Sequence, residues 1–142
     1  MSIKNVAVIG GGTMGSGIAE VAAKAGCNTI VLEIDAGLAE IAQNKLETST
    51  QKAVARDKMT EEERDGLLSR LSFTTSFSDL EDRDLIIEAV VESPSVKANV
   101  FKTLDEVAQQ SAILASNTSS ISIGEIADST SRGSQVLGMH FF

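Results

Sequence analysis

A run of glycines, Gly10-Gly11-Gly12-Thr13-Met14-Gly15, stands directly behind the apolar stretch Val6-Ala7-Val8-Ile9, and no other feature restricts the fold of this chain as strongly. A short, nearly unbroken apolar stretch is the pattern of a strand buried on both faces of a parallel sheet. Beyond the glycines, Met14, Ile18, Val21, Ala22 and Ala25 recur at helical spacing, which predicts one face of a helix that Gly26 ends. In a strand, turn and helix of this kind, G-x-G-x-x-G spacing permits a tight turn, lets the backbone come close to a pyrophosphate, and packs the helix tightly on the strand. Taken alone, the glycines suit an ordinary loop equally well. Their surroundings favour the first reading. Thr29 to Leu32 is a second strand, and Glu33 at its end lies about 20 residues beyond the glycines, where a carboxylate accepts from both hydroxyls of a ribose. The combined pattern implies a bound dinucleotide. Glu33 would repel a 2′-phosphate, so the expected cofactor is NAD rather than NADP, and Asp35 adds to that repulsion while its main role is to cap the next helix.

From Ala36, the positions Leu38, Ile41, Ala42, Leu46 and Ala53 keep helical spacing for several turns. Thr60 followed by Glu63 is a capping-box pattern that starts a second, shorter helix through Leu67 and Leu68. Leu71 to Thr74 and Leu85 to Val90 are the next strands, separated by an acidic turn. Ser93-Pro94 then opens a helix whose buried face is expected from Val96, Val100, Phe101, Leu104, Val107 and Ala108. Ala112 to Ala115 is a strand, Ser122 to Ala127 a short helix, and Gln135 to Met139 a last strand running into His140. Alternating strands and helices with no linker predict one α/β domain over residues 1–142, a doubly wound, mostly parallel sheet of Rossmann type with a helical pair inserted after strand 2.

Net charge is −8, from 12 basic and 20 acidic residues. No basic stripe exists to neutralise a phosphate backbone, so nucleic acid is not an expected partner. A dinucleotide would be held by backbone N–H groups at a helix N-terminus, where the helix dipole favours an anion. Cys27 is the only cysteine, and no apolar run reaches the roughly 18 residues of a membrane span, so a reduced, cytoplasmic setting without membrane contact is expected. The first residues do not read as a secretory signal. No metal-ligand spacing is present.

Ligands of open α/β sheets bind outside the carboxyl ends of the strands. Two groups fall there: Asn117-Thr118-Ser119-Ser120 after one strand and His140 after the next. The first suits a turn and helix cap as readily as a site. His140 is the only histidine, and imidazole is the usual general base near neutral pH, but position alone leaves it open between a base and a packed side chain. Glu61, Glu62 and Glu63 sit at a helix N-terminus and are read as structural.

Val8 to Ala19, Leu114-Ala115-Ser116-Asn117-Thr118-Ser119-Ser120 and Gly138-Met139-His140-Phe141-Phe142 resemble the 3-hydroxyacyl-CoA dehydrogenase family over nearly the whole chain. The resemblance implies that Gly10, Gly12, Thr13, Met14, Gly15 and Glu33 bind NAD, with Glu92 and Lys97 lining its nicotinamide and ribose side. It implies His140 as the catalytic base, Ser119 as the residue that touches both the substrate oxygen and the cofactor, and Asn117 beside it. It also implies contacts from Ser49 and Arg56 to the CoA moiety of an acyl-CoA substrate. The expected reaction is reversible oxidation of an (S)-3-hydroxyacyl-CoA to the 3-oxoacyl-CoA. In the family a helical C-terminal domain supplies a glutamate that orients the histidine, much of the acyl pocket and the homodimer contact. That domain is expected to be absent from this chain, which should then bind NAD but turn substrate over poorly. Two further readings stand beside this one. One is a stand-alone NAD-binding or structural module, and the other a hydroxy-acid dehydrogenase lacking the Asn-Thr-Ser-Ser and His-Phe-Phe pair.

Overall fold

The computed structural model describes residues 2–141. Six strands form one sheet: β1 (Asn5–Ile9), β2 (Asn28–Leu32), β3 (Leu71–Thr74), β4 (Leu85–Glu88), β5 (Ile113–Ser116) and β6 (Val136–Gly138). Their spatial order is β3-β2-β1-β4-β5-β6, and all five ladders are parallel, so the mostly parallel expectation becomes fully parallel for the described residues. The connecting helices are α1 (Thr13–Lys24), α2 (Ala36–Ala55), α3 (Glu61–Ser69), α4 (Pro94–Val107) and α5 (Ile123–Asp128). The helical pair expected after strand 2 is α2 and α3.

Strand periodicity divides the core into two layers. Ala7, Ile9, Ile30, Leu32, Ile86 and Leu114 face α4 and α5, where they pack with Phe101, Leu104 and Ile126. Their neighbours Val6, Val8, Val31, Ile87 and Ala115 face the other way, onto Ile18 and Ala19 of α1 and Leu46 of α2. A smaller cluster of Ala23, Met59 and Leu67 seats α3 beneath α1. Burial of side chains such as Phe101 and Leu104, both 0% exposed, stabilises the domain by about 1.5–3 kcal/mol each.

Local chemistry sets the helix ends. Asp35 Oδ1 accepts from the Leu38 N–H at 2.8 Å, as expected of a cap. Thr60 and Glu63 form both halves of their capping box. At the far end of α4, Arg132 pairs with Asp105 at 2.9 Å and donates to the carbonyls of Asp105, Ala108 and Gln109, satisfying the orphan acceptors of the last turn.

Several expectations need correction. Val21 is 57% exposed and Met14 39%, while Gly15, Ser16, Ile18, Ala19 and Ala23 form the buried face of α1. Small residues win that face because α1 lies so close to the sheet that a Cβ on Gly15 would fall 1.7 Å from the Gly10 carbonyl oxygen. Ile41 and Val96 are likewise exposed, and Lys97 takes the buried position at the start of α4. The acidic segment before β4 contains a 3₁₀ turn, Phe77–Leu80, that buries Leu80. β4 stops at Glu88 rather than Val90, since the Val90 N–H turns back to the Glu88 carboxylate at 2.7 Å.

Candidate active site

In the order β3-β2-β1-β4, the chain leaves β1 on one side toward β2 and returns on the other side at β4. The crevice at the carboxyl ends of β1 and β4 is the switch point where ligands of such sheets bind. The glycine turn lies here. Gly10 has φ +97°, a left-handed conformation suited to glycine, and a Cβ on it would fall 2.9 Å from the Ala89 carbonyl oxygen of the loop after β4. Gly12 caps α1, and apart from its chain neighbours a Cβ there would meet nothing within 4 Å, so the space beside it is open. No side chain caps α1 and no acidic residue lies in its first turn. Its leading N–H groups and dipole are thereby left for an external anion. Glu33, at the end of β2, reaches across to accept from the Gly11 N–H at 3.0 Å. A carboxylate offers about four lone-pair positions, so acceptor capacity for ribose hydroxyls remains.

Beside this turn is a cleft of about 320 Å³ lined by Met14, Ala89, Val90, Glu92, Lys97, Asn117, Ser119, His140 and Phe141. It gathers residues from the loops after β4, β5 and β6 and from the first turns of α1 and α4. Asn117 Oδ1 accepts from the Phe141 N–H at 2.9 Å, tying the loop after β5 to the segment carrying His140. Thus Met14, Glu92, Lys97, Asn117, Ser119 and His140, singled out from the sequence, share one cleft.

Ser49 lies elsewhere, in a groove of about 230 Å³ between α1 and α2 that also includes Thr13, Ser16, Glu20 and Lys45. This groove adjoins the glycine turn through Thr13. A larger one, of about 490 Å³, runs along α2 past Lys45, Ser49 and Lys52. Arg56 is the exposed C-cap of α2 and lines neither groove. It sits about 10 Å further along the helix axis than Ser49.

Sequence reasoning missed the network behind the cleft. Glu88 is 0% exposed and Lys97 1%. Glu88 shares a face with Ile86 and is the ladder partner of Ser116, so it points toward α4 and its Lys97. Its Oε2 pairs with Lys97 Nζ at 2.5 Å, and its Oε1 accepts from Ser116 Oγ at 2.5 Å. Lys97 also reaches Glu92 Oε1 at 3.2 Å and the Val90 carbonyl at 3.3 Å. Glu92 Oε2 accepts from Ser120 Oγ at 2.6 Å and Thr118 Oγ1 at 2.7 Å. The hydroxyls of Ser120 and Thr118, aided by Lys97, hold the Glu92 carboxyl below its ordinary pKa, outweighing a smaller opposing effect of burial. The available signal was Glu88 itself, a lone charge within Leu85-Ile86-Ile87-Glu88-Ala89-Val90-Val91, since a buried carboxylate requires a partner.

Among the described residues no cluster of histidine, cysteine, aspartate and glutamate is arranged to hold a metal ion, and no helix is long and apolar enough to cross a membrane.

A parallel sheet with this strand order, a glycine turn at its switch point and a carboxylate at the end of β2 define a dinucleotide-binding domain. Residues 5–142 match the family described as 3-hydroxyacyl-CoA dehydrogenase, NAD binding domain. The chain is 49% identical over 142 residues to 3-hydroxybutyryl-CoA dehydrogenase of Mycobacterium tuberculosis, covering 99% of this chain and 50% of that protein. The crystal structure of M. tuberculosis FadB2 superposes with a TM-score of 0.98 at 48% identity, over 100% of this chain and 50% of that one. That of (S)-3-hydroxybutyryl-CoA dehydrogenase PaaH1 from Ralstonia eutropha gives 0.96 at 37% identity, over 99% and 50%. The chain belongs to the 3-hydroxyacyl-CoA dehydrogenase family, as its NAD-binding domain. It spans about half the length of the curated relatives it matches.

Proposed function

We propose that this chain is the cofactor-binding, base-bearing half of an enzyme that interconverts (S)-3-hydroxyacyl-CoA and 3-oxoacyl-CoA. The carrying observation is the convergence of Glu92, Lys97, Asn117, Ser119 and His140 in one cleft beside the glycine turn. The names of the relatives support the substrate class. When bound, NAD supplies the hydride acceptor.

Gly10, Gly12, Thr13, Met14 and Gly15 hold the pyrophosphate on the N-terminus of α1, and Glu33 accepts from the adenosine ribose. Glu92 and Lys97 line the nicotinamide and ribose side. His140 takes the proton of the substrate's 3-hydroxyl, and Ser119 donates to that same oxygen while touching the cofactor. Asn117, bonded to the Phe141 N–H, fixes the distance between the Ser119 loop and His140. Ser49, in the groove continuous with Thr13, contacts the CoA moiety, and Arg56 adds a more distant charge to it. A second half, of the size by which the relatives exceed this chain, completes the acyl pocket and supplies a carboxylate to His140. The full-length enzyme is a cytoplasmic homodimer on this reading.

The test is a fluorescence titration with NADH and, separately, NADPH, followed by an acetoacetyl-CoA reduction assay on the same sample. NADH is expected to bind in preference to NADPH with little turnover. Where turnover is measurable, His140→Asn abolishes it and leaves NADH binding intact. No binding of either dinucleotide would overturn the reading.

A further inference from the structure

Glu88 cannot touch a ligand, yet it places a charge behind the cleft. Lys97 Nζ uses its three donor directions on Glu88 Oε2, Glu92 Oε1 and the Val90 carbonyl. Lys97 and Glu92, which both line this cleft, carry opposite formal charges and balance. Glu88, directly behind Lys97, tips the cluster to a net charge of −1. Burying a carboxylate in the central sheet is costly, and replacing a buried ion pair by well-packed apolar residues is often neutral or stabilising. The retained charge therefore calls for a function.

The two redox forms of a nicotinamide cofactor differ at the ring, which is positive when oxidised and neutral when reduced. We propose that Glu88 sets the redox-state preference of this site, its net negative cluster favouring NAD+ over NADH. The proposal rests on the placement of the nicotinamide in this cleft given under Proposed function. Glu88 acts through its field, from a dry position where water screens little.

The test measures Kd for NAD+ and NADH on the chain at one fixed pH, in variants that change the cluster's charge. Glu88→Gln takes the net charge from −1 to 0 and should shift the ratio of the two constants about fivefold toward NADH. Glu92→Gln removes the same charge from a side chain that is 47% exposed, and should shift the ratio the same way even if Glu88→Gln does not fold. The double variant Glu88→Gln with Lys97→Met restores −1 and should return the ratio toward that of the unaltered chain. A purely structural role predicts the opposite, since the double variant removes more hydrogen bonds. An unchanged ratio in the single variants, with both forms still bound, overturns the proposal and leaves the assigned function standing. Failure of the unaltered chain to bind either form removes both.

Discussion

The Glu33 carboxylate and the Gly11 N–H are joined at 3.0 Å, so the residue proposed to read the ribose is braced by the turn proposed to hold the pyrophosphate. Glu33→Ala should therefore raise the Kd for NADH by about tenfold or more, the scale of a lost hydrogen bond to a charged group. It should raise the Kd for NADPH less, or lower it, because the repulsion of a 2′-phosphate goes with the carboxylate. Parallel titrations with the two cofactors measure both effects.

The glycines of the turn separate stability from binding. A Cβ at residue 15 would fall 1.7 Å from the Gly10 carbonyl oxygen, whereas one at residue 12 meets nothing within 4 Å. Gly15→Ala should cost about 1–3 kcal/mol or more through overpacking, read as a lower urea midpoint. Gly12→Ala should cost less than about 1 kcal/mol, the loss of a tolerated N-cap residue. It should nonetheless weaken NADH binding, because its methyl group would enter the open space where the pyrophosphate is proposed to lie.

Thr60→Ala removes one half of the α3 capping box, whose Glu63 N–H to Thr60 Oγ1 bond is 3.0 Å. A loss of about 1 kcal/mol is expected in urea unfolding. NADH affinity should not change, since no residue of α3 lines the cleft or the groove beside the glycine turn.

Acid should weaken the fold through Asp84. The backbone N–H groups of Lys4 and then Asn5, each 2.9 Å from Asp84 Oδ2, hold this carboxyl below its ordinary pKa. A lowered carboxyl pKa contributes stability that is fully present above the unfolded value, about pH 4, and is lost as pH falls through the lower folded value. Asp84→Asn should be less stable than the unaltered chain at neutral pH, and the gap should close below about pH 4. Urea midpoints measured from pH 7 to pH 2.5 check this.

What could be read from the sequence was whatever depends on neighbours along the chain. The caps at Asp35, Thr60 and Ser93 and the order of strands and helices all follow from interactions a few residues apart. The spacing of the glycine turn and Glu33 was legible too, although it is the parallel pairing of β1 and β2 through Ile9 and Leu32 that sets Gly10 and Glu33 at adjacent strand ends. The buried faces were less legible. Val21 and Val96 have the right spacing but stay exposed, because close approach of α1 selects Gly15 and Ala19, and because Lys97 reaches inward to Glu88. Asn117 and His140 were visible as polar residues at strand ends, but only the packing of β5 beside β6 brings their loops together, through the Phe141 N–H. The tertiary structure alone decided the network of Glu88, Lys97, Glu92, Ser116, Thr118 and Ser120. Its members come from β4, β5, the loops that follow them and α4, and a buried charge is stable only where the fold delivers partners from distant segments to the same point.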